Sequence, residues 1–200
     1  MMRWKEDDLL VGGKALIESP EEMDLSYLMK SRILYVREAY PSVVLDSIGL
    51  ARKGGISLIS NLGVNLSLFG REALKIAAMS DLVLVGSREL SLLGDDIVGE
   101  AISILKRGPK AIIVTMGSKG SMLVKEDGIK KVSAFKTKVI DTTGAGDVFT
   151  AGFIFGLLKG WDLLTCMRFG SAAAAIKVGS FGARSGLPTE KEVMGFLSRH

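Results

Sequence analysis

Four short apolar runs rich in β-branched residues, at 32–36, 56–59, 82–85 and 111–115, constrain the fold of this chain more than any other feature. Runs of this kind, apolar on both faces, read as parallel strands. The segments between them, 41–53, 66–79 and 95–106, carry apolar residues at helical spacing, and Gly54-Gly55 and Gly108-Pro109 stop two of them. The result is a βαβ series. After Thr115 the pattern changes: 120–125, a polar turn at Glu126-Asp-Gly128 and 129–132 predict an antiparallel hairpin at one edge of the sheet. Two longer helices, 145–159 and 162–178, and a short last one after Pro188-Thr189-Glu190 complete the pattern. The expected fold is a three-layer αβα arrangement around a mostly parallel sheet.

No internal repeat, low-complexity stretch or linker divides the chain, so residues 1–200 read as a single domain. With 48% apolar residues it can bury a core without covalent staples. The stretch Glu18-Ser-Pro-Glu-Glu22 reads as a loop and helix start. The net charge of +4 comes from 26 basic and 22 acidic residues mixed along the chain. There is no basic arm or stripe for nucleic acid, although a mildly positive surface suits nucleoside phosphates as well as plain solubility. Cys166 is the only cysteine, which excludes an internal disulfide, and its apolar neighbours predict a buried, inert thiol. The charged opening Met-Met-Arg-Trp-Lys-Glu-Asp-Asp does not make a signal peptide. The apolar run 148–158 is broken by Thr150 and two glycines and is shorter than the ~18 residues a bilayer requires. A cytoplasmic protein with no membrane role is expected. His200, the only histidine, sits at the last position and gives zinc sites and His-dependent triads almost nothing to build on.

The segment that carries chemistry is Val139-Ile-Asp-Thr-Thr-Gly-Ala-Gly-Asp-Val-Phe149, a short apolar strand running into a glycine loop and then a helix from Ala145. Gly144 and Gly146 allow a tight turn and close approach to a ligand. The first amides of the helix lack internal partners and sit at its positive end, where a phosphate is favoured. Asp147, in the first turn, is placed to act as a base on an incoming hydroxyl. Taken alone, a Gly-x-Gly-Asp reads more readily as an acidic residue stabilising a helix dipole beside a structural turn.

The wider match reverses that balance. Asp-Thr-Thr-Gly-Ala-Gly-Asp, with Phe149 and Ala151-Gly152-Phe153, closely resembles the C-terminal signature of the ribokinase-like (PfkB) carbohydrate kinases. The resemblance extends to Ile113-Val-Thr-Met-Gly-Ser-Lys-Gly120 and to Gly182-Ala-Arg-Ser-Gly-Leu-Pro-Thr189, and more weakly to 81–93 and the strands upstream. It implies that Asp147 is the catalytic base and that Gly144, Ala145 and Gly146 form an anion hole. It further implies that Thr115, Gly117, Gly120, Ser171 and Ala174 border the nucleotide. Taken alone, Thr115 and its glycines fit a strand end with a hairpin turn equally well. Asp141 and Thr143, completed by 182–185, correspond to a monovalent cation (K+) site in the family. ATP and Mg2+ are the implied cofactors, and a hydroxyl of a sugar, nucleoside or similar small molecule the implied acceptor.

The sequence departs from the family at three places. Where the family carries Asn-x-x-Glu, this chain has Gly86-Ser-Arg-Glu89, keeping only Glu89 for magnesium. Where Asp-Pro-Asn is common, it has Ile59-Ser-Asn61. The family's N-terminal portion, with its sugar-binding Gly-Gly segment and small β lid, has no counterpart, and Gly12-Gly13 reads as a loop rather than a substitute. A truncated reading frame, a natural short form, or a lid supplied by a homo-oligomer or partner chain would each account for this. A nucleotide-binding or regulatory module that has lost catalysis is the alternative reading. A dinucleotide-dependent oxidoreductase is disfavoured because no Gly-x-Gly-x-x-Gly follows the first strand.

Overall fold

A computed structural model describes residues 24–37, 44–45, 48–49, 52 and 54–200. Gly12-Gly13, the 18–22 stretch and most of the helix expected over 41–53 lie outside the described residues. The chain forms two compact units, 1–112 and 113–200.

In the first unit, α1 (Leu25–Leu28) precedes β1 (Ile33–Val36). There follow β2 (Ser57–Asn61), α2 (Gly63–Phe69), α3 (Leu74–Met79), β3 (Leu82–Gly86), α4 (Ser87–Leu90) and α5 (Ile97–Leu105). Strand β4 (Ala111–Thr115) crosses the boundary between the units. β1 pairs with β2, and β2 with β3, in parallel, with Leu34 opposite Leu58 and Ile59 opposite Leu82. Leu58, Ile59 and Ser60 are buried in succession, as are Val83, Leu84 and Val85. Because side chains alternate along a strand, consecutive burial means that both faces are covered, as the unbroken apolar runs predict.

The helix expected over 66–79 is instead two helices separated by a 3-10 turn at Gly70–Ala73. Gly70 takes φ +52, a left-handed conformation that ends α2, and the regular spacing of apolar residues on either side hides the break. Asp96 caps α5 by accepting from the Gly99 amide at 3.0 Å. Asp81 ties three segments together: its carboxylate accepts from the Leu58 amide at 2.9 Å and pairs with Lys110 at 2.8 Å, and its carbonyl accepts from the Lys110 amide at 2.8 Å. Partial burial opposes its ionisation, but these donors hold the carboxyl below its ordinary range.

The second unit opens with β5 (Ser121–Lys125) and β6 (Gly128–Val132), an antiparallel pair with Ser121 opposite Val132 and Lys125 opposite Gly128. All six strands join in the order β1-β2-β3-β4-β5-β6, which puts the hairpin at one edge as expected. β6 is largely exposed and carries Lys130 and Lys131, charges that discourage further strand pairing. Helices α6 (Ala145–Leu158), α7 (Leu163–Lys177) and α8 (Glu190–Leu197) follow. Asp162 caps α7 through the amides of Leu164 and Thr165, and Thr189 and Glu192 form a capping box on α8.

Glycines let α6 and α7 touch backbone to backbone. A Cβ on Gly152 would lie 2.9 Å from the Gly170 Cα, and one on Gly170 would lie 2.5 Å from the Phe149 carbonyl oxygen. Val148, Phe169, Ala172, Ala173 and Val193 form the core beside this contact. Cys166 is buried, as its apolar neighbours predict, and burial pushes its thiol up to about 11, which disfavours the reactive thiolate. Among the described residues, no helix is long and apolar enough to cross a membrane.

Candidate functional site

A cavity of about 470 Å³ lies within the second unit, a size suited to a small cofactor. One wall is the turn after β4. Met116 and Gly120 close this turn through a 2.8 Å bond from the Met116 amide to the Gly120 carbonyl, and the Gly120 amide donates to Gly117 at 3.0 Å. Gly117 (φ +56) and Gly120 (φ +90) both need backbone angles that favour glycine. Thr115, Gly117 and Gly120 line the cavity on this side, Ala145 and Gly146 line it from the start of α6, and Ser171 and Ala174 from α7.

The remaining lining is largely apolar, with Phe135, Val139, Phe149 and Val178 its largest apolar members. The irregular segment after β6, which supplies Phe135, Lys136 and Thr137, was not indicated by the sequence. It has neither period 2 nor period 3.6, so no pattern marks it.

Gly144 is the N-cap of α6 with φ +79, and a Cβ there would lie 3.2 Å from the Ala183 carbonyl oxygen. This left-handed residue turns the chain from the 139–143 segment into the helix. The Ala145 amide is engaged within the turn, donating to the Thr142 carbonyl at 3.1 Å, and the Val148 amide donates to Gly144 at 3.0 Å. Gly146 lies in the first turn on the cavity wall, where the helix end carries its partial positive charge. Asp147 is next in that turn and exposed; neither it nor Gly144, Asp141 or Thr143 is among the residues lining the cavity.

Asp141 organises the approach to this loop. Its Oδ1 accepts from the Thr143 amide at 2.9 Å and the Thr143 hydroxyl at 2.7 Å, and its Oδ2 accepts from the Gly182 amide at 2.8 Å. The Thr143 amide and hydroxyl, then the Gly182 amide, lower its pKa to about 2. Because the folded value is depressed, the stabilisation is complete above the ordinary Asp value of about 4 and is lost as pH falls through about 2. Amide exchange at Thr143 and Gly182, measured from pH 5 down to pH 2 and corrected for intrinsic rates, is expected to lose protection over that window. The Asp141→Asn variant is expected to lack the transition.

Glu89 lies in the first unit, one turn after β3. Its side chain folds back over Gly86, where a Cβ would lie 2.1 Å from Glu89 Oε2, and beside Gly63. Glycine at position 86 therefore leaves room for the glutamate carboxylate at the strand end. Asn61 is committed to capping, accepting from the Gly63 amide at 3.0 Å. No group of three or more His, Cys, Asp or Glu residues gathers as a metal cluster among the described residues. A lone carboxylate suits Mg2+, which keeps waters and substrate phosphates as its other ligands.

The pfkB family carbohydrate kinase pattern matches residues 18–190. A protein described as an uncharacterized sugar kinase from Archaeoglobus fulgidus is 39% identical over 115 residues, covering 57% of this chain and 46% of the relative. The nucleoside kinase of Methanocaldococcus jannaschii superimposes with a TM-score of 0.73 at 30% identity, covering 85% of this chain and 57% of that one. The ribokinase of Arabidopsis thaliana, solved with ribose and ATP, superimposes with a TM-score of 0.80 at 28% identity, covering 92% of this chain and 61% of that one. The chain thus spans about half to three fifths of the length of these proteins. A family match over most of the sequence, the edge hairpin and the left-handed glycine opening α6 agree: the chain belongs to the pfkB family of carbohydrate kinases.

Proposed function

We propose that this chain is the nucleotide-binding and phosphoryl-transferring part of an ATP-dependent kinase acting on a hydroxyl of a sugar, nucleoside or related small molecule. The observation that carries the reading is the junction at Gly144. It starts α6 so that Ala145 and Gly146 form one wall of a cavity also bordered by Thr115, Gly117, Gly120, Ser171 and Ala174, with Asp147 on the same helical turn. The ATP bound to the Arabidopsis ribokinase and the names of the sugar and nucleoside kinase relatives support the choice of donor and acceptor class.

In this mechanism the apolar wall takes the base of ATP, and the start of α6 takes the γ-phosphate, where the helix end favours negative charge. Asp147 accepts the proton of the acceptor hydroxyl as that oxygen bonds to the γ-phosphorus. The bond from the γ-phosphorus to the bridging oxygen breaks, and ADP carries away the electron pair. Glu89 is the residue here with the chemistry to hold Mg2+, which would supply charge neutralisation to the phosphates when bound.

The test is ADP release from Mg-ATP across a panel of pentoses, hexoses and nucleosides, with ATP binding followed in parallel by calorimetry. Acceptor-dependent ADP formation is expected. Binding of ATP with no acceptor turned over would replace this reading by that of a nucleotide-binding module without catalysis.

A further inference from the structure

Lys177 ends α7 with its side chain completely buried, a costly place for an ammonium unless oxygen atoms receive it. Its Nζ donates to the backbone carbonyl of Asp141 at 3.4 Å. The neighbouring residue, Val178, accepts from the Ile140 and Asp141 amides at 2.7 and 3.2 Å. The end of α7 thus grips the 140–141 segment by both its carbonyl and its amides, three residues before the Gly144 turn. The charge of Lys177 also contributes to keeping Asp141 ionised.

These contacts decide whether Asp141 and Thr143 fit a monovalent cation. Both carboxylate oxygens of Asp141 already receive protein donors, and the Thr143 hydroxyl points its proton at one of them. The Asp141 carbonyl is taken by the lysine. What excludes a potassium ion is the charge: a buried ammonium already sits against the Asp141 carbonyl, and a second cation on the same group of oxygens would be repelled. These residues do not fit the ion.

We propose that the Lys177 ammonium is the built-in cation of this site, holding 140–143 against α7 so that the glycine loop keeps its position without K+. Lys177 is a positioning residue: it acts on the loop through the Asp141 backbone. The idea rests on the kinase reading only for the purpose of that loop, and its test does not use turnover.

Hydrogen exchange over 140–147 and the melting midpoint are measured for the whole chain in choline chloride, NaCl and KCl at equal ionic strength. The wild-type protein is expected to give the same values in all three salts. Lys177→Met, which removes the charge and is one atom shorter, is expected to exchange about tenfold faster in choline chloride and to recover protection when KCl replaces choline chloride. A structural side chain would not produce ion-specific recovery. Slowing of wild-type exchange by about tenfold on adding KCl would overturn the proposal, whether or not the variant folds. So would Lys177→Met exchange that matches the wild type, or faster exchange that KCl leaves unchanged. A chain that transfers no phosphate still gives a decisive result.

Discussion

Asp147→Asn is expected to lower acceptor-dependent turnover by about 10²- to 10⁴-fold while leaving ATP affinity nearly unchanged. The separation follows from position. Asp147 is exposed in the first turn of α6 and does not line the cavity, so nucleotide binding has little need of it. An amide has the same shape and still occupies the helix start, but it cannot take a proton from a hydroxyl. Its loss of negative charge at the helix N-terminus costs about 0.3–1 kcal/mol, too little to unfold a domain. Parallel measurements of ADP formation, ATP calorimetry and melting therefore isolate the chemical step. Full activity in Asp147→Asn would remove the proposed base, and loss of ATP binding would show that the carboxylate acts on the nucleotide.

The parts of this molecule legible in the sequence are those governed by local rules. β4 falls on 111–115 as the apolar run predicts, and the β5–β6 hairpin is within one residue of its expected limits. Asp162 and Thr189 mark the starts of α7 and α8 because capping chemistry is written in the residues themselves. What the sequence hides depends on distant partners. Gly70 looks like a tolerable residue inside a helix until its positive φ is seen. Lys177 falls inside the expected helix 162–178 with no local signal of burial, yet it is fully buried against a carbonyl 36 positions away. The same limit applies to the cavity. The glycines of its two turns stand out in the sequence, whereas Phe135, Lys136 and Thr137 reach it from a stretch with no periodicity. Motif reading thus finds the turns that face a ligand, and only the fold supplies the rest of the wall.

Gly120→Ala is expected to be the most damaging single-methyl substitution at the cavity. The residue sits at φ +90 and ψ −138, a region closed to side chains, so strain alone costs about 1–3 kcal/mol. An alanine Cβ would also lie 2.1 Å from the Val132 carbonyl oxygen, 2.8 Å from the Ala134 nitrogen and 2.9 Å from the Ser133 carbonyl carbon. All three are backbone atoms, so no rotamer change relieves the clash, which adds about 1–3 kcal/mol of overpacking. The sum, about 2–6 kcal/mol, is a large share of a typical domain's 5–15 kcal/mol. Movement of 132–134 would also carry Ala134 and Phe135 out of the cavity wall, so ATP affinity should fall together with stability. Gly117→Ala is the matched control: the same turn and a positive φ of 56, but nothing within 4 Å of the added methyl. Its expected cost is the left-handed penalty alone, about 1–2 kcal/mol. Denaturant titration of the two variants separates clash from strain. If Gly120→Ala were no less stable than Gly117→Ala, the close packing of this turn against the end of β6 would be wrong, and with it the geometry of that side of the cavity.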